Sequence, residues 1–197
     1  MGLRSTTKVI ARGLSIFGHP AIILPAVIIV RTQIGDATSP SMPLIMTVSL
    51  TIVGVIILYS LFQVRRGHWE HIDASHKSER MQLNFLLMVV LFGSGFVSAV
   101  RGQSLVFTVG LLIVGTMVMV ALCLNRWLKV SLHTSFAMFA AFLFWPNGLV
   151  VLCGTLLTLA IGWSRLTLER HTFLEILTGI LIGACAGLAQ FYLVIAL

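Results

Sequence analysis

The sequence predicts an all-α fold: a polytopic transmembrane bundle of six to seven helices, formed by residues 1–197 as a single integral-membrane domain. Apolar residues make up 58% of the 197 residues and charged residues only 10%. The mean hydropathy is +1.03, outside the range of soluble globular proteins. The apolar residues come in runs close to the ~20 residues that one helix needs to cross a bilayer. The short alternating segments of a transmembrane β-barrel are absent from the sequence.

Seven apolar segments follow one another along the chain. Their predicted bounds are Leu14–Val30, Leu44–Val64, Leu83–Val100, Ser104–Leu124, Leu132–Trp145, Leu149–Gly162 and Phe173–Ala196. The first follows basic residues, as in a signal peptide, but His19-Pro20 and Pro25 interrupt it and no clear cleavage site follows. We therefore predict a retained, kinked helix. The fifth and sixth segments are short and are joined by a turn sequence at 146–148. They form either two short helices at the bundle centre or one re-entrant hairpin.

A polar stretch before the last segment contains several ionisable residues, including Arg165, His171 and Glu175. Residues 171 and 175 are four apart, so on a helix they would lie one turn apart on the same face. A carboxylate there would accept the imidazole N–H, fix its tautomer and stabilise the imidazolium. The structural alternative is a polar helix end with one hydrogen-bonded histidine.

The face that carries Glu175 continues through Gly179, Gly183 and Gly187. A stripe of small residues spaced by four allows the backbone of another helix to approach closely. The sequence therefore predicts that the His171–Glu175 pair faces the interior of the bundle.

A second polar sequence, Lys129 to His133, precedes a segment rich in small residues. The N–H groups at a helix start and the positive end of the helix dipole favour a bound phosphate. Ser131 would either cap this helix or donate to the phosphate, and Lys129 adds a point charge. Serine and histidine at a helix start are also common structural caps, so this pattern alone leaves both interpretations open.

The pattern Ser164-Arg165, five residues, His171, three residues, Glu175 resembles the third signature of the type 2 phosphatidic acid phosphatase (PAP2) superfamily. Glu175 stands here at the position of the family's aspartate.

The segment at 129–133 resembles the second signature of that superfamily, Pro-Ser-Gly-His. Ser131 and His133 match its serine and histidine, while Val130 and Leu132 replace its proline and glycine.

The first signature is matched less closely. Arg80 takes the place of its arginine, Asp73 stands at its lysine position and Met81 replaces its proline. Lys77 and Lys129 are then alternative replacements for the missing lysine. The resemblance extends from Asp73 to Gly187.

This resemblance implies metal-independent phosphoryl transfer from a lipid phosphate, with no cofactor. By the same resemblance His171 is the nucleophile, Glu175 holds its imidazole, and His133 is the acid that later activates water. The implied phosphate ligands are Arg80, Arg165, Lys129, Ser131 and Lys77. The substrate would be an isoprenoid or glycerolipid phosphate or diphosphate. Two alternatives stay open: a lipid phosphotransferase on the same scaffold, and a non-enzymatic lipid-binding or transport protein.

A metal site is the competing interpretation of the loop that contains His68, Glu70, His71, Asp73 and His76. Their spacing matches no zinc or diphosphate–metal motif, so we favour a solvated loop that binds headgroups. The three cysteines also lack ligand spacing, and we expect them to be buried in apolar packing.

The net charge of +7 comes from the loops, and no nucleic-acid-binding motif accompanies it. If each of the seven segments crosses once, the three motifs open on one side of the membrane. That side then carries eleven basic residues and the other only Arg31 and Arg101. The positive-inside rule predicts a cell (inner) membrane protein with a cytoplasmic active site.

Overall fold

The computed structural model describes residues 2–34, 42–69 and 76–197, with side chains for 6–31, 43–69 and 76–197. Within these ranges the chain forms eight helices and no strand, which confirms the all-α prediction. They are α1 Gly2–Phe17, α2 Pro20–Ile34, α3 Met42–Arg65, α4 Lys77–Val100, α5 Leu105–Leu124, α6 Leu132–Phe142, α7 Gly148–Thr167 and α8 Phe173–Ala196. Five of them are long and apolar enough to cross a membrane, or six spans if the bent pair α1–α2 counts as one.

Two compact units divide the chain. Met1–Ile34 and Trp127–Leu197 form the first, with α1, α2, α6, α7 and α8. Gly35–Arg126 forms the second, with α3, α4 and α5.

The first predicted segment is broken, as its proline and histidine indicated. The axis bends by 56° between α1 and α2. Pro20 begins α2, a position where its missing N–H costs no helical hydrogen bond. At Gly18 a Cβ would lie 2.6 Å from the Ile161 side chain, so glycine allows the end of α1 to approach α7 closely. The helical region also begins earlier than predicted, at Gly2.

Helix α6 lies at the centre of the first unit. It has 11 residues and is therefore about 16 Å long, roughly half of a bilayer core. Every residue from Thr134 to Ala141 is buried. This confirms that the fifth segment is a short central helix.

The glycine stripe of α8 packs against another helix, as predicted, and the structure shows that this helix is α6. A Cβ at Gly179 would lie 2.6 Å from the Ser131 carbonyl oxygen. At Gly183 it would meet the Ser135 carbonyl oxygen, and at Gly187 the Phe142 Cβ. The backbones of α6 and α8 are in contact along the stripe, so its three glycines are a packing requirement.

Helix α7 is longer than the sixth predicted segment. It runs for 20 residues to Thr167, so the expectation of a short segment ending at Gly162 is wrong. The helix continues because the Ser164 hydroxyl donates to the Ile161 carbonyl at 2.7 Å, which satisfies that polar group within the helix. The predicted turn before α7 is confirmed, and Asn147 caps the helix by accepting the Val150 N–H at 3.2 Å.

In the second unit α4 begins earlier than the apolar pattern indicated. Lys77 and Arg80 therefore lie in its first turn and not in a loop. The helix starts there because the Glu79 carboxylate accepts the backbone N–H of His76 at 3.0 Å. Between α4 and α5, the hydroxyls of Ser98 and Thr108 form a buried hydrogen bond of 2.7 Å.

The cysteines lie on outward faces of their helices. Cys123, Cys153 and Cys185 are exposed free thiols, so the prediction that they are buried is wrong. Helices in a bilayer present their apolar residues outwards as well as inwards, so an apolar pattern does not identify the packed face.

Candidate active site

One end of the first unit brings the second and third motifs together. The N–H of Ser131 donates to the Glu175 carbonyl at 3.2 Å. The Lys129 ammonium donates to the Arg170 carbonyl at 2.8 Å. The segment at the start of α6 therefore meets the α7–α8 loop and the start of α8, although Lys129 and Arg170 are 41 residues apart in sequence.

His171 contacts Glu175, but not through the helical face that the spacing predicted. Helix α8 begins at Phe173, so His171 precedes the N-cap residue Thr172 and is not helical. The contact joins His171 Nδ1 to Glu175 Oε2 at 3.1 Å. The predicted partner is confirmed, whereas the predicted helical geometry is wrong.

A capping box explains how this contact forms. The N–H of Thr172 donates to Glu175 Oε2 at 3.0 Å, and the N–H of Glu175 donates to the Thr172 hydroxyl at 3.4 Å. These reciprocal bonds hold the carboxylate over the helix start, where it also reaches the preceding imidazole. The sequence Thr-x-x-Glu at 172–175 is typical of a capping box, but the family signatures do not include Thr172.

The hydrogen bond to Glu175 fixes the tautomer of His171. An ionised carboxylate only accepts hydrogen bonds, so the neutral imidazole must carry its proton on Nδ1. Nε2 is then left with a free lone pair. The two side chains are 7% and 15% exposed, so the pair is largely shielded from water.

Burial and, to a smaller extent, the nearby charges of Lys129 and Arg165 lower the pKa of His171 from 6.5 to about 4, although Glu175 opposes them. At neutral pH the imidazole is therefore uncharged, which is the form that can act as a nucleophile.

The lowered pKa predicts how the His171 imidazole responds to pH. In a titration followed by histidine NMR, the signal that disappears in His171→Ala should keep its neutral position down to about pH 5. Since the unfolded chain takes up this proton at a higher pH, the free energy of unfolding should fall as the pH drops from about 6.5 towards 4. A midpoint near pH 6.5 would contradict the burial and the two adjacent cations.

Two cations flank His171, and both are held by hydrogen bonds. Arg165 Nη1 donates to the hydroxyl of Ser15 on α1 at 2.7 Å. Lys129 is held by the Arg170 carbonyl. Positioned cations of this kind bind the equatorial oxygens of a phosphoryl group.

Ser131 occupies the N-cap position of α6, but its hydroxyl does not cap the helix. The side chain is fully buried. Its Oγ has no hydrogen-bond partner among the described residues. A buried hydroxyl without a partner at a helix N-terminus is a ready donor for a bound anion.

The α1–α2 break contributes residues that the motif comparison missed. The His19 ring contacts the His133 ring, with centroids 5.1 Å apart and planes at 86°. Burial lowers the pKa of the His133 imidazole, and the charges of Arg165, His19 and His171 lower it further. The sequence signal for His19 is its position inside an apolar run. Ionisable residues are rare in membrane helices unless they have a function.

The remaining predicted ligands, Lys77 and Arg80, belong to the second unit. The Lys77 ammonium donates to the Arg126 carbonyl at 3.5 Å. Asp73 lies outside the described residues, as do two of the candidate metal ligands, Glu70 and His71. Among the described side chains, no group of three His, Cys, Asp or Glu has the arrangement of a metal site.

Comparison of the chain with protein-family models, with curated proteins and with solved structures gives no match. The functional assignment therefore depends on the residues of the site and the contacts between them.

Proposed function

We propose that the protein is an integral-membrane lipid phosphate phosphatase that acts through a phosphohistidine and requires no metal. The observation that carries this proposal is the buried, neutral imidazole of His171. Its Nδ1 lies 3.1 Å from the Glu175 carboxylate, and the charges of Lys129 and Arg165 act on it. A simple helix cap would need neither the imidazole nor the two cations.

In the proposed first step, His171 Nε2 attacks the phosphorus and the bond to the leaving oxygen breaks. The negative charge of the bound phosphate favours the protonated form of His133, which gives that oxygen its proton, while the charge on the Glu175 carboxylate stabilises the His171 imidazole as it becomes cationic. In the second step His133 takes a proton from water, the water oxygen attacks phosphorus, and the P–N bond breaks. The products are an alcohol, or a shorter phosphate, and inorganic phosphate.

Fixed donors are placed to stabilise the negative charge on the phosphoryl oxygens. Arg165, Lys129, the Ser131 hydroxyl and the N–H groups at the start of α6 form the proposed cradle. Protein cations supply the positive charge in this scheme, so activity should survive chelation.

The proposed substrate is an isoprenoid or glycerolipid phosphate or diphosphate. The site lies at the ends of apolar helices, where the headgroup of a membrane lipid would be placed. Purified protein should hydrolyse members of a panel of such lipids, with or without EDTA. Loss of activity in EDTA that a divalent ion restores would contradict the mechanism. Phosphate transfer to an alcohol in place of water would favour the phosphotransferase alternative.

The carboxylate of Glu175 provides a conservative test. Glu175→Gln should lower kcat by about 10- to 100-fold, because the amide cannot stabilise an imidazolium. Glu175→Asp should retain more activity, since it keeps the charge. A steady-state assay of both variants measures this difference. Their thermal stability shows whether the loss of activity comes from a weakened helix cap. Equal activity of Gln and wild type would exclude the proposed role.

In each unit, taken by itself, the basic residues gather at one end. In the first unit the site end carries Lys8, Arg12, Lys129, Arg165 and Arg170, and the other end Arg31. In the second unit Arg65, Arg66, Lys77, Arg80 and Arg126 share one end, and Arg101 lies at the other. We propose that these basic ends face the cytoplasm of a cell (inner) membrane protein.

Cysteine labelling tests this orientation. In a variant without native cysteines, Arg170→Cys places a thiol at the exposed site end. A membrane-impermeant maleimide should label it only after permeabilisation. The matched control Leu197→Cys, beyond the far end of α8, should be labelled in intact cells or spheroplasts. The reverse pattern would place the site on the outer face.

A further inference from the structure

His19 is an ionisable residue at the site end of the first unit, and the phosphatase signatures do not include it. It lies between the two helices of the broken N-terminal pair, immediately before Pro20. Its ring contacts His133, the proposed acid and base, at 5.1 Å between centroids. His19 is exposed, whereas the residues of α6 that follow His133, from Thr134 to Ala141, are buried.

The geometry of His19 limits how it can act. Its Nδ1 accepts the backbone N–H of Ala21 at 3.2 Å. Pro20 has no N–H and begins α2, so this bond fixes the imidazole at the helix start. The neutral ring therefore carries its proton on Nε2. The ring stands at 86° to that of His133, an edge-to-face arrangement that restricts the orientation of both.

We propose that His19 is the third imidazole of the site and acts as a positioning residue for His133. This proposal rests on the proposed phosphatase function. His19 holds the His133 ring in the orientation needed for proton transfer, and the protonated form of His19 opposes protonation of that ring.

The charged groups around His133 come from three elements. Arg165 is on α7, His171 is in the α7–α8 loop and His19 is at the α1–α2 break. Arg165 and His171 already have assigned roles at the phosphate. His19 is therefore the member of this group whose removal changes His133 without removing a phosphate ligand or the nucleophile.

Two substitutions separate the two parts of this role. His19→Phe keeps an aromatic ring against His133 but removes both the charge and the acceptor of the Ala21 N–H. It should slow phosphohistidine formation less than His19→Ala does, while the pH dependence of that step shifts upwards. His19→Ala also removes the packing, and it should slow this step by about tenfold or more. His68→Phe is the control, since His68 is exposed in the second unit.

A histidine NMR titration supplies a measurement that is independent of turnover. The His133 signal, assigned by its loss in His133→Ala, should titrate at a higher pH in His19→Phe than in wild type. An unchanged His133 titration together with an unchanged pH–rate profile in both His19 variants would overturn the proposal. If wild type hydrolyses no lipid phosphate, the phosphatase function fails, and the titration still tests the histidine pair. Thermal stability of His19→Phe identifies any loss caused by misfolding.

Discussion

Replacing His171 by alanine is expected to slow the hydrolysis of lipid phosphates by at least about a thousandfold. The charges of Lys129 and Arg165 act on this imidazole, whose Nδ1 is engaged by Glu175. Without it, water would have to attack the phosphate directly. The binding of substrate should change far less, because Arg165 and Lys129 remain. The measurement is kcat and KM for the most reactive lipid phosphate of the panel.

The matched control is His68→Ala. His68 is exposed, contacts Gln63 at 3.3 Å and belongs to the second unit. Its removal should leave kcat within about twofold of wild type, as expected for a surface substitution. If His171→Ala keeps a tenth or more of the wild-type rate, His171 is not the nucleophile.

Replacing Gly183 by alanine is expected to destabilise the fold and remove most of the activity. The new Cβ would collide with the Ser135 carbonyl oxygen and lie 2.9 Å from Met138 Cβ and 3.1 Å from the Phe139 nitrogen. Two of these atoms belong to the α6 backbone, so the helices must separate. We expect a loss of about 2 kcal/mol or more, as for overpacked cores. Because Ser131 and Glu175 are joined across this interface, the site should be distorted as well.

Gly13→Ala is the control for this change. A Cβ at Gly13 meets nothing within 4 Å, and α1 belongs to the same unit. Alanine raises helix propensity by about 1 kcal/mol relative to glycine, so this variant should be as stable as wild type or more so. Thermal unfolding in detergent compares the two. Equal stability of Gly183→Ala and Gly13→Ala would show that α6 and α8 are not closely packed.

The sequence predicts those parts of the fold that depend on local pattern. Apolar runs identify the helices, and the glycines at 179, 183 and 187 identify the α8 face that packs on α6. The bounds of α4 and α7 were missed because capping and intrahelical hydrogen bonds, made by Glu79 and Ser164, extend helices into polar sequence.

Part of the candidate site is also readable from the sequence. The spacing of His171 and Glu175 predicts their contact, although the bonds come from a capping box and not from one helical face. His19 is more than a hundred residues from His133 in sequence, and only the 56° bend at the α1–α2 break and the packing of α2 on α6 bring them together. No local pattern contains that information.

The most direct test of the proposed mechanism is to isolate the phosphorylated protein. A labelled lipid diphosphate, whose leaving phosphate needs little help from an acid, should phosphorylate His133→Ala and leave the intermediate undischarged. After an alkaline quench, mass spectrometry should find an acid-labile phosphate on the peptide that contains His171, and none in the His133→Ala, His171→Ala double variant. Turnover by wild type with no phosphate on His171 under these conditions, or with phosphate on another residue, would contradict a phosphohistidine mechanism.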